Sequence, residues 1–189
     1  MELRQDFVVQ ASPERVWDAL KDFELIAACV PGTEILAVSE DGAEVTGRIT
    51  AKVGPISAAF TGSAKVARDE GSRSGEVEGT GADRASNSRA TVRMTYSVHP
   101  QGTATRTDIV ADLQLKGTLA QFSKGPIIHD IAAAMTRDFA TNLQARLDAH
   151  DVGALPRAKP MNPLVLLWRI IMARLSGSAR GTAGRGPGE

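Results

Sequence analysis

The chain has 189 residues and a formal net charge of zero, with 42% hydrophobic residues but only 4% aromatic residues. This length suits one domain with appendages, and the hydrophobic content is sufficient for a core. Much of that content is alanine, and small side chains fill an interior poorly, so the composition favours a hollow core. The single cysteine, Cys29, excludes an internal disulfide and fits a reducing compartment.

Charge is distributed unevenly along the chain. Beyond Asp151 there are six basic residues against Glu189 alone, a net charge of +5, so the first 151 residues carry −5. The first ten residues contain no apolar h-region, and we therefore expect no signal peptide. No apolar run reaches the roughly 18 residues that a membrane-spanning helix needs.

The first elements are predicted to be a strand and two short helices. Hydrophobic residues alternate with polar ones over Leu3–Val9, which indicates an amphipathic strand. The run Ser12–Glu14 supplies an N-cap, a proline at the first helical position and an acid in the first turn. Asp22 has the N-cap pattern for a second short helix, which Pro31-Gly32 ends.

Residues 33–116 are predicted to form the rest of an antiparallel sheet, because alternating runs are separated by turn signals. Glu40–Gly42 is typical of a tight hairpin, and Gly54-Pro55 breaks the next run. The glycines at 75, 79 and 81 indicate β-bulges or a sharp bend. One row of each strand is expected to face inward, at alternate positions of Val45–Val53, Ile56–Val66, Ala90–Val98 and Ile109–Leu115.

The stretch from Gly117 to Leu147 changes from a period of two to a period of about 3.6, which predicts one long amphipathic helix. Gly125-Pro126 interrupts it, so either the helix proper begins at Pro126 or a short first turn from Thr118 is bent off. About seven antiparallel strands in the order β-α-α-β6-α, with a long helix last, predict an α+β fold. The sheet is expected to wrap around the helix, with a hydrophobic cavity between them as the functional site.

The sequence contains no recognisable catalytic or metal-binding arrangement. His99, His129 and His150 each lack a second metal ligand at a suitable spacing, so no metal site is expected. No Ser-His-acid or Cys-His grouping, phosphate-binding glycine loop or nucleic-acid motif is present in the sequence. We therefore expect neither catalytic residues nor a nucleic-acid partner.

Three separated motifs resemble a known family. Trp17, Leu20, Asp22, Cys29 and Pro31-Gly32 form a W-x-x-L-x-D…C-x-P-G signature, followed by AKVGPISAAFTG from Ala51 and KGTLAQF from Lys116. Together they resemble the CoxG family of carbon monoxide dehydrogenase subunits, within the START-like (SRPBCC) helix-grip superfamily, over residues 1–150. The resemblance implies a helix-grip fold with a seven-stranded sheet and a hydrophobic cavity. It also implies association with a molybdenum-containing carbon monoxide dehydrogenase at the membrane.

The C-terminal region is predicted to attach the chain to a membrane surface. We predict a Pro/Gly linker at residues 151–163, an amphipathic helix at 164–175, and a disordered basic tail at 176–189. A helix of this length spans about 18 Å, which is too short to cross a bilayer but is typical of an interfacial helix. Docking on the chain's own domain or on a partner protein is the alternative. The expected membrane-binding residues are Leu164, Leu167, Trp168, Arg169, Ile171, Arg174 and Leu175.

The family resemblance also suggests a ligand. Electrons from a carbon monoxide dehydrogenase must reach respiratory quinone, so we predict that the cavity binds a quinone, menaquinone, with no covalent cofactor. Such a carrier would be peripheral, on the cytoplasmic face of the cell membrane. The same side chains would simply be core if the interior were solid. The expected ligand-binding residues are Trp17, Phe23, Leu25, Ile26, Val53, Phe60, Met94, Tyr96, Leu113, Phe122, Ile127, Ile131, Met135 and Phe139.

Two other functions are compatible with this pattern. A recruitment subunit would hold the dehydrogenase at the membrane through the C-terminal helix and would not transport a ligand. A cyclase- or hydrolase-like enzyme on the same fold would need convergent polar groups in the cavity. Because the inward rows are nearly all apolar, the enzyme ranks last.

Overall fold

The computed structural model describes residues 1–53 and 56–149, without the side chains at 52, 53, 56, 122–124, 126 and 127. Within these residues the elements follow the predicted order of strand, two helices, six strands and a final helix. The elements are β1 (Glu2–Val9), α1 (Pro13–Lys21), α2 (Phe23–Cys29), β2 (Thr33–Val38), β3 (Glu44–Val53), β4 (Ile56–Asp69), β5 (Ser74–Asp83), β6 (Ser88–Gln101), β7 (Ala104–Lys116), a 3-10 helix (Thr118–Lys124) and α3 (Pro126–Ala149).

The seven strands form one antiparallel sheet in the order β1-β7-β6-β5-β4-β3-β2. Its register places the predicted inward rows side by side, for example Val45 opposite Ala64 and Met94 opposite Ala111. Helix α3 packs against β1, α2 and the 3-10 helix, so the sheet and the last helix enclose the interior between them. The predicted α+β architecture is confirmed.

Local side-chain bonds begin the first two helices where the sequence indicated. The Ser12 hydroxyl accepts the backbone N–H of Arg15 (3.4 Å), with Pro13 at the start of α1. The Asp22 carboxylate accepts the N–H of Leu25 at 3.0 Å and caps α2. These bonds satisfy backbone donors that a helix start leaves free. Gly32, with φ +78°, then turns the chain into β2.

Gly125-Pro126 divides the predicted long helix into two elements. Helix α3 begins at Pro126, and residues 118–124 form a separate 3-10 helix before it. Proline fits the first helical position because its ring fixes φ and the missing N–H has no intrahelical partner there. The helix proper therefore starts at Pro126, as one of the two sequence alternatives stated.

The prediction of β-bulges at the glycines of β5 is wrong, whereas the alternative of a sharp bend stays a prediction. Strand β5 pairs with β4 and β6 without a register shift from Ser74 to Asp83. A register shift does occur elsewhere, in β2 between Ile35 and Ala37. Glycine is needed instead where backbones approach closely. A Cβ on Gly62 would overlap the Thr80 carbonyl oxygen and lie 2.6 Å from the Cα of Gly81.

We expect Gly62→Ala to lower the free energy of unfolding by at least about 2 kcal/mol, because the added methyl overlaps backbone atoms that cannot rotate away. Gly81→Ala is a matched control, since Gly81 lies directly opposite Gly62 and its Cβ would meet Phe60 at an ordinary 3.4 Å. Denaturant unfolding of both variants measures the difference. Equal stabilities would contradict the close approach of β4 and β5.

The solid part of the interior lies around the C-terminal half of α3, and we call it the packed end. Leu143 of α3, Val16 of α1 and Cys29 of α2 are completely inaccessible there. Phe7 of β1 meets Phe139 edge to face, with ring centroids 5.4 Å apart. The packed end joins α1, β1, β6 and α3 in one cluster of buried side chains.

Candidate functional site

The interior changes character along α3. The predicted stripe of this helix is buried at Leu143 and Leu147 but only half-buried at Ile131, Met135 and Phe139. Phe139 still touches the core cluster, whereas Ile131 and Met135 do not belong to it. We call the region around the N-terminal half of α3, and the strands facing it, the open end.

The sheet surface in the open end carries small side chains. Gly47, Gly62, Gly81 and Ala90 lie opposite one another in a continuous row across β3 to β6. Native interiors are close-packed, so glycine and alanine along a concave surface remove volume that larger side chains would fill. The next row consists of Val45, Ala64, Gly79, Val92 and Leu113. Its two small residues, Ala64 and Gly79, lie between larger side chains.

Hydrophobic side chains around this row are accessible rather than packed away. Ile49 of β3 is 44% exposed. Half-buried side chains from the sheet include Phe60 and Leu113, both of them predicted ligand-binding residues, whereas the half-buried Met94 packs against the core cluster. The open end is therefore an apolar surface that its own residues do not close, which suits a hydrophobic ligand.

The structure distributes the predicted ligand-binding residues over three groups. Trp17 and Tyr96 lie in the packed end, 3% and 9% exposed, with their ring centroids 6.1 Å apart and their planes tilted by 39°. The side chains of Val53, Phe122 and Ile127 lie outside the described residues. The remaining members are half-buried around the interior, and they are Phe23, Leu25, Ile26, Phe60, Met94, Leu113, Ile131, Met135 and Phe139.

Arg68 is a polar residue of the interior that the sequence pattern did not single out. It follows Ala64 and Val66 on the same face of β4 and lies opposite Gly75, whose other neighbour is Tyr96. Its guanidinium carbon lies 5.0 Å from the centre of the Phe23 ring, and its Nη1 donates to the Gly42 carbonyl at 3.4 Å. Nε and Nη2 are buried and have no hydrogen-bond partner among the described residues. The alternation along β4 could have indicated this residue, because the inward-facing residues of the strand are even-numbered and position 68 continues that series.

Tyr96 is held beside this arginine. A Cβ on Gly75 would overlap the hydroxyl oxygen of Tyr96, so the tip of the ring covers the glycine. Burial raises the pKa of the Tyr96 phenol, and the nearby Arg68 guanidinium opposes that rise through its charge and through hydrogen bonding to the phenol. The phenol is therefore a neutral hydrogen-bonding group at physiological pH.

Three other buried polar residues, Asp83, Ser88 and Cys29, have structural roles or are unreactive. The Asp83 carboxylate accepts from the Ala85 N–H and the Ser86 hydroxyl, which closes the turn between β5 and β6. The Ser88 hydroxyl accepts the Leu119 N–H and ties the 3-10 helix to β6. Burial raises the pKa of the Cys29 thiol to about 11, which disfavours the reactive thiolate.

Two grooves of about 470 and 530 Å³ are also present over β4 and β5. The groove of about 470 Å³ lies beside Arg68 and Tyr96 and also includes the outward-facing Glu76 and Asp69. The groove of about 530 Å³ is lined by Glu76, Glu78 and Lys65, and its charged lining suits a hydrophobic ligand less well than the open end does.

The described residues bear on two further predictions. Among them, no group of three or more histidine, cysteine or acidic side chains is arranged to hold a metal ion. No described helix combines the length and hydrophobicity that crossing a bilayer requires. The predicted interfacial helix at 164–175, with its membrane-binding residues, lies outside the described part of the chain.

The arrangement of the sheet and the terminal helix is shared with START-like helix-grip proteins. A START superfamily protein from Mycobacterium smegmatis has a TM-score of 0.53 at 18% identity, covering 79% of this chain and 98% of that one. A conserved protein from Geobacillus kaustophilus has a TM-score of 0.67 at 12% identity, covering 78% and 95% of the two chains. The Zhui aromatase/cyclase from Streptomyces sp. R1128 has a TM-score of 0.59 at 12% identity, covering 80% and 95%. At these identities the likeness shows the fold alone.

The family is shown by a sequence model. Residues 6–148 match the model of CoxG, a carbon monoxide dehydrogenase subunit, and the chain belongs to that family. No curated protein sequence matches the chain. The family's name links the chain to carbon monoxide dehydrogenase, and its fold is START-like.

Proposed function

We propose that this protein binds a respiratory quinone, menaquinone, in its open end and carries it between the membrane and a molybdenum carbon monoxide dehydrogenase. The observation that carries the proposal is the half-buried apolar surface between α3 and the sheet in a member of this family. A quinone has a flat apolar ring and an apolar tail, so it gains from leaving water for such a surface. The proposal assigns no catalytic step to the chain.

The shape of the interior supports a ring-sized ligand. Glycine and alanine form the central row of the sheet, while Met135 and Ile131 face the interior from α3. Burying apolar surface contributes about 25 cal/mol per Å². A ligand that covers several half-buried side chains would therefore stabilise the complex and the folded protein together.

The predicted helix at 164–175 would place the carrier at the membrane surface, on its cytoplasmic side. Its apolar arc would enter the headgroup region, while Arg169 and Arg174 would contact anionic lipid. Each arginine adds about 1 kcal/mol near an anionic leaflet, so the attachment is expected to be reversible. A carrier needs this reversibility because it must leave the membrane with its ligand.

Deleting residues 160–189 separates a carrier from a recruitment subunit. We expect the shortened chain to lose sedimentation with anionic vesicles but to bind soluble menaquinone analogues as tightly as the full chain does. The physical reason is that the open end is built from residues before 150. Loss of quinone binding on truncation would contradict this division of roles.

Transfer from vesicles tests the carrier proposal itself. The full chain is incubated with vesicles containing menaquinone, the vesicles are removed, and quinone in the protein fraction is quantified after organic extraction. We expect quinone in near-stoichiometric amount with the protein. A chain that binds the vesicles but removes no quinone would favour the recruitment subunit.

A further inference from the structure

We propose that Arg68 forms the polar end of the ligand site and donates two hydrogen bonds to an oxygen of the bound ligand, a quinone carbonyl. This inference rests on the proposed function, because it places the head of that ligand within the same interior. The observation that carries it is a buried guanidinium edge that no described residue satisfies.

A charged side chain in this position is unfavourable without a partner. Removing a guanidinium from water costs far more than burying a hydrocarbon, and buried charges in proteins are normally paired. Arg68 lies on the inward face of β4, in a row that otherwise contains Phe60, Ala64 and Val66. Any of these apolar residue types would suit the fold better, so a role in binding explains the arginine.

The acidic residues next to Arg68 in the chain do not neutralise it. Asp69 accepts hydrogen bonds from the Gly71 N–H and the Ser72 hydroxyl in the β4–β5 turn. Glu70 accepts from the Trp17 indole and from Lys21. Among the described ion pairs none includes Arg68, and the polar groups that interact with it, the Gly42 carbonyl and the Tyr96 phenol, are neutral, so no described acid neutralises its charge.

The orientation of the guanidinium matches a single acceptor oxygen or a carboxylate. Its Nη1 is engaged by the Gly42 carbonyl, and its face lies over the Phe23 ring, 5.0 Å from the centroid. The edge formed by Nε and Nη2 remains unpartnered, and the hydrogens on that edge point in parallel. Because a guanidinium only donates, this edge selects an acceptor such as a carbonyl oxygen.

Tyr96 completes the polar end. Its hydroxyl lies over Gly75, the cross-strand neighbour of Arg68. Phe23, half-buried at the start of α2, offers an aromatic face to the other side of the guanidinium. An apolar ligand would therefore lie in the open end with its oxygen directed towards β4, β5 and α2.

Two ligands that differ only in their oxygens test the proposal. Menadione, the ring of menaquinone without its tail, carries two carbonyls, and 2-methylnaphthalene has the same rings without oxygen. We expect Arg68→Met to weaken menadione binding by about 10- to 100-fold, the loss typical of hydrogen bonds from a charged group. Binding of 2-methylnaphthalene should stay within about threefold of the wild type, because methionine preserves the apolar volume.

Arg48→Met is the matched control, since Arg48 is exposed on the outer face of the neighbouring strand β3. This variant should bind both ligands as the wild type does. Unchanged menadione affinity in Arg68→Met would overturn the inference while leaving the quinone carrier intact. A wild-type chain that binds neither menadione nor long-chain menaquinone would contradict the proposed function instead.

The carbonyl stretching frequency of bound menadione and the binding of palmitate provide two further measurements. The carbonyl stretch of menadione bound to the wild-type chain should move to lower frequency than in hexane, and an unshifted band would overturn the inference even if Arg68→Met failed to fold. Binding of palmitate tests whether Arg68 recognises a fatty-acid carboxylate instead of a quinone carbonyl. Arg68-dependent palmitate binding without any menadione binding would assign the site to a fatty-acid carboxylate and exclude the quinone.

Discussion

Leu143→Ala is expected to lower the free energy of unfolding by about 2–5 kcal/mol, whereas Met135→Ala should lower it by less than about 1.5 kcal/mol. The two residues lie on the same stripe of α3, two turns apart. Leu143 is 0% exposed in the packed end, so its removal leaves a cavity, while Met135 is half-buried in the open end. Alanine is the best helix former, so neither substitution weakens the helix itself.

Ligand binding should respond in the opposite order. Met135 would contact the quinone ring, and its truncation is expected to weaken binding by roughly 3- to 10-fold through lost apolar contact. Leu143→Ala should leave the affinity of the folded fraction unchanged, because its side chain is covered by the packed end. Equilibrium unfolding and quinone titration measure the two effects. Equal destabilisation by both variants would mean that α3 is packed along its whole length.

Ala64→Phe is expected to weaken quinone binding by at least about 30-fold, because the ring would occupy space that the ligand needs. Ala64 is half-buried in the open end and lies between Val45 and Gly79 in the sheet. Aromatic residues suit strands, and the open end has room for the new ring, so stability should stay within about 1 kcal/mol.

Ala67→Phe is the control for this blocking effect. Ala67 lies in the same strand but is exposed on the outer face, so the same substitution there should leave quinone affinity unchanged. Isothermal titration with menadione compares the two variants directly. Full affinity in Ala64→Phe would contradict a ligand site between β4 and α3.

Much of the fold was predictable from local signals. Alternation places the inward rows correctly, because a strand has a side-chain period of two and the register then aligns neighbouring rows. Proline and the N-cap residues Ser12 and Asp22 mark helix starts for stereochemical reasons that need no tertiary information. Pro126 likewise marks the start of α3.

The site was less predictable, because it depends on which side chains remain unpacked. Trp17 has the residue type of a ligand site, yet it is 3% exposed in the packed end, with its ring 6.1 Å from that of Tyr96. Arg68 is not indicated by the hydrophobic pattern, because the apolar residues of the inward row end at Val66. The glycines of β5 are compatible with bulges, but β5 pairs regularly with β4 and β6. The alternation of residues along a sequence does not tell a regular strand from a bulged one.

Direct identification of the ligand tests the carrier most directly. The full chain, purified from its native source without added lipid, is extracted with organic solvent, and the extract is analysed by mass spectrometry. We predict menaquinone, recovered from the wild type and from Ala67→Phe but strongly depleted in Ala64→Phe. Protein that is reproducibly empty and takes up no added quinone would contradict the central claim.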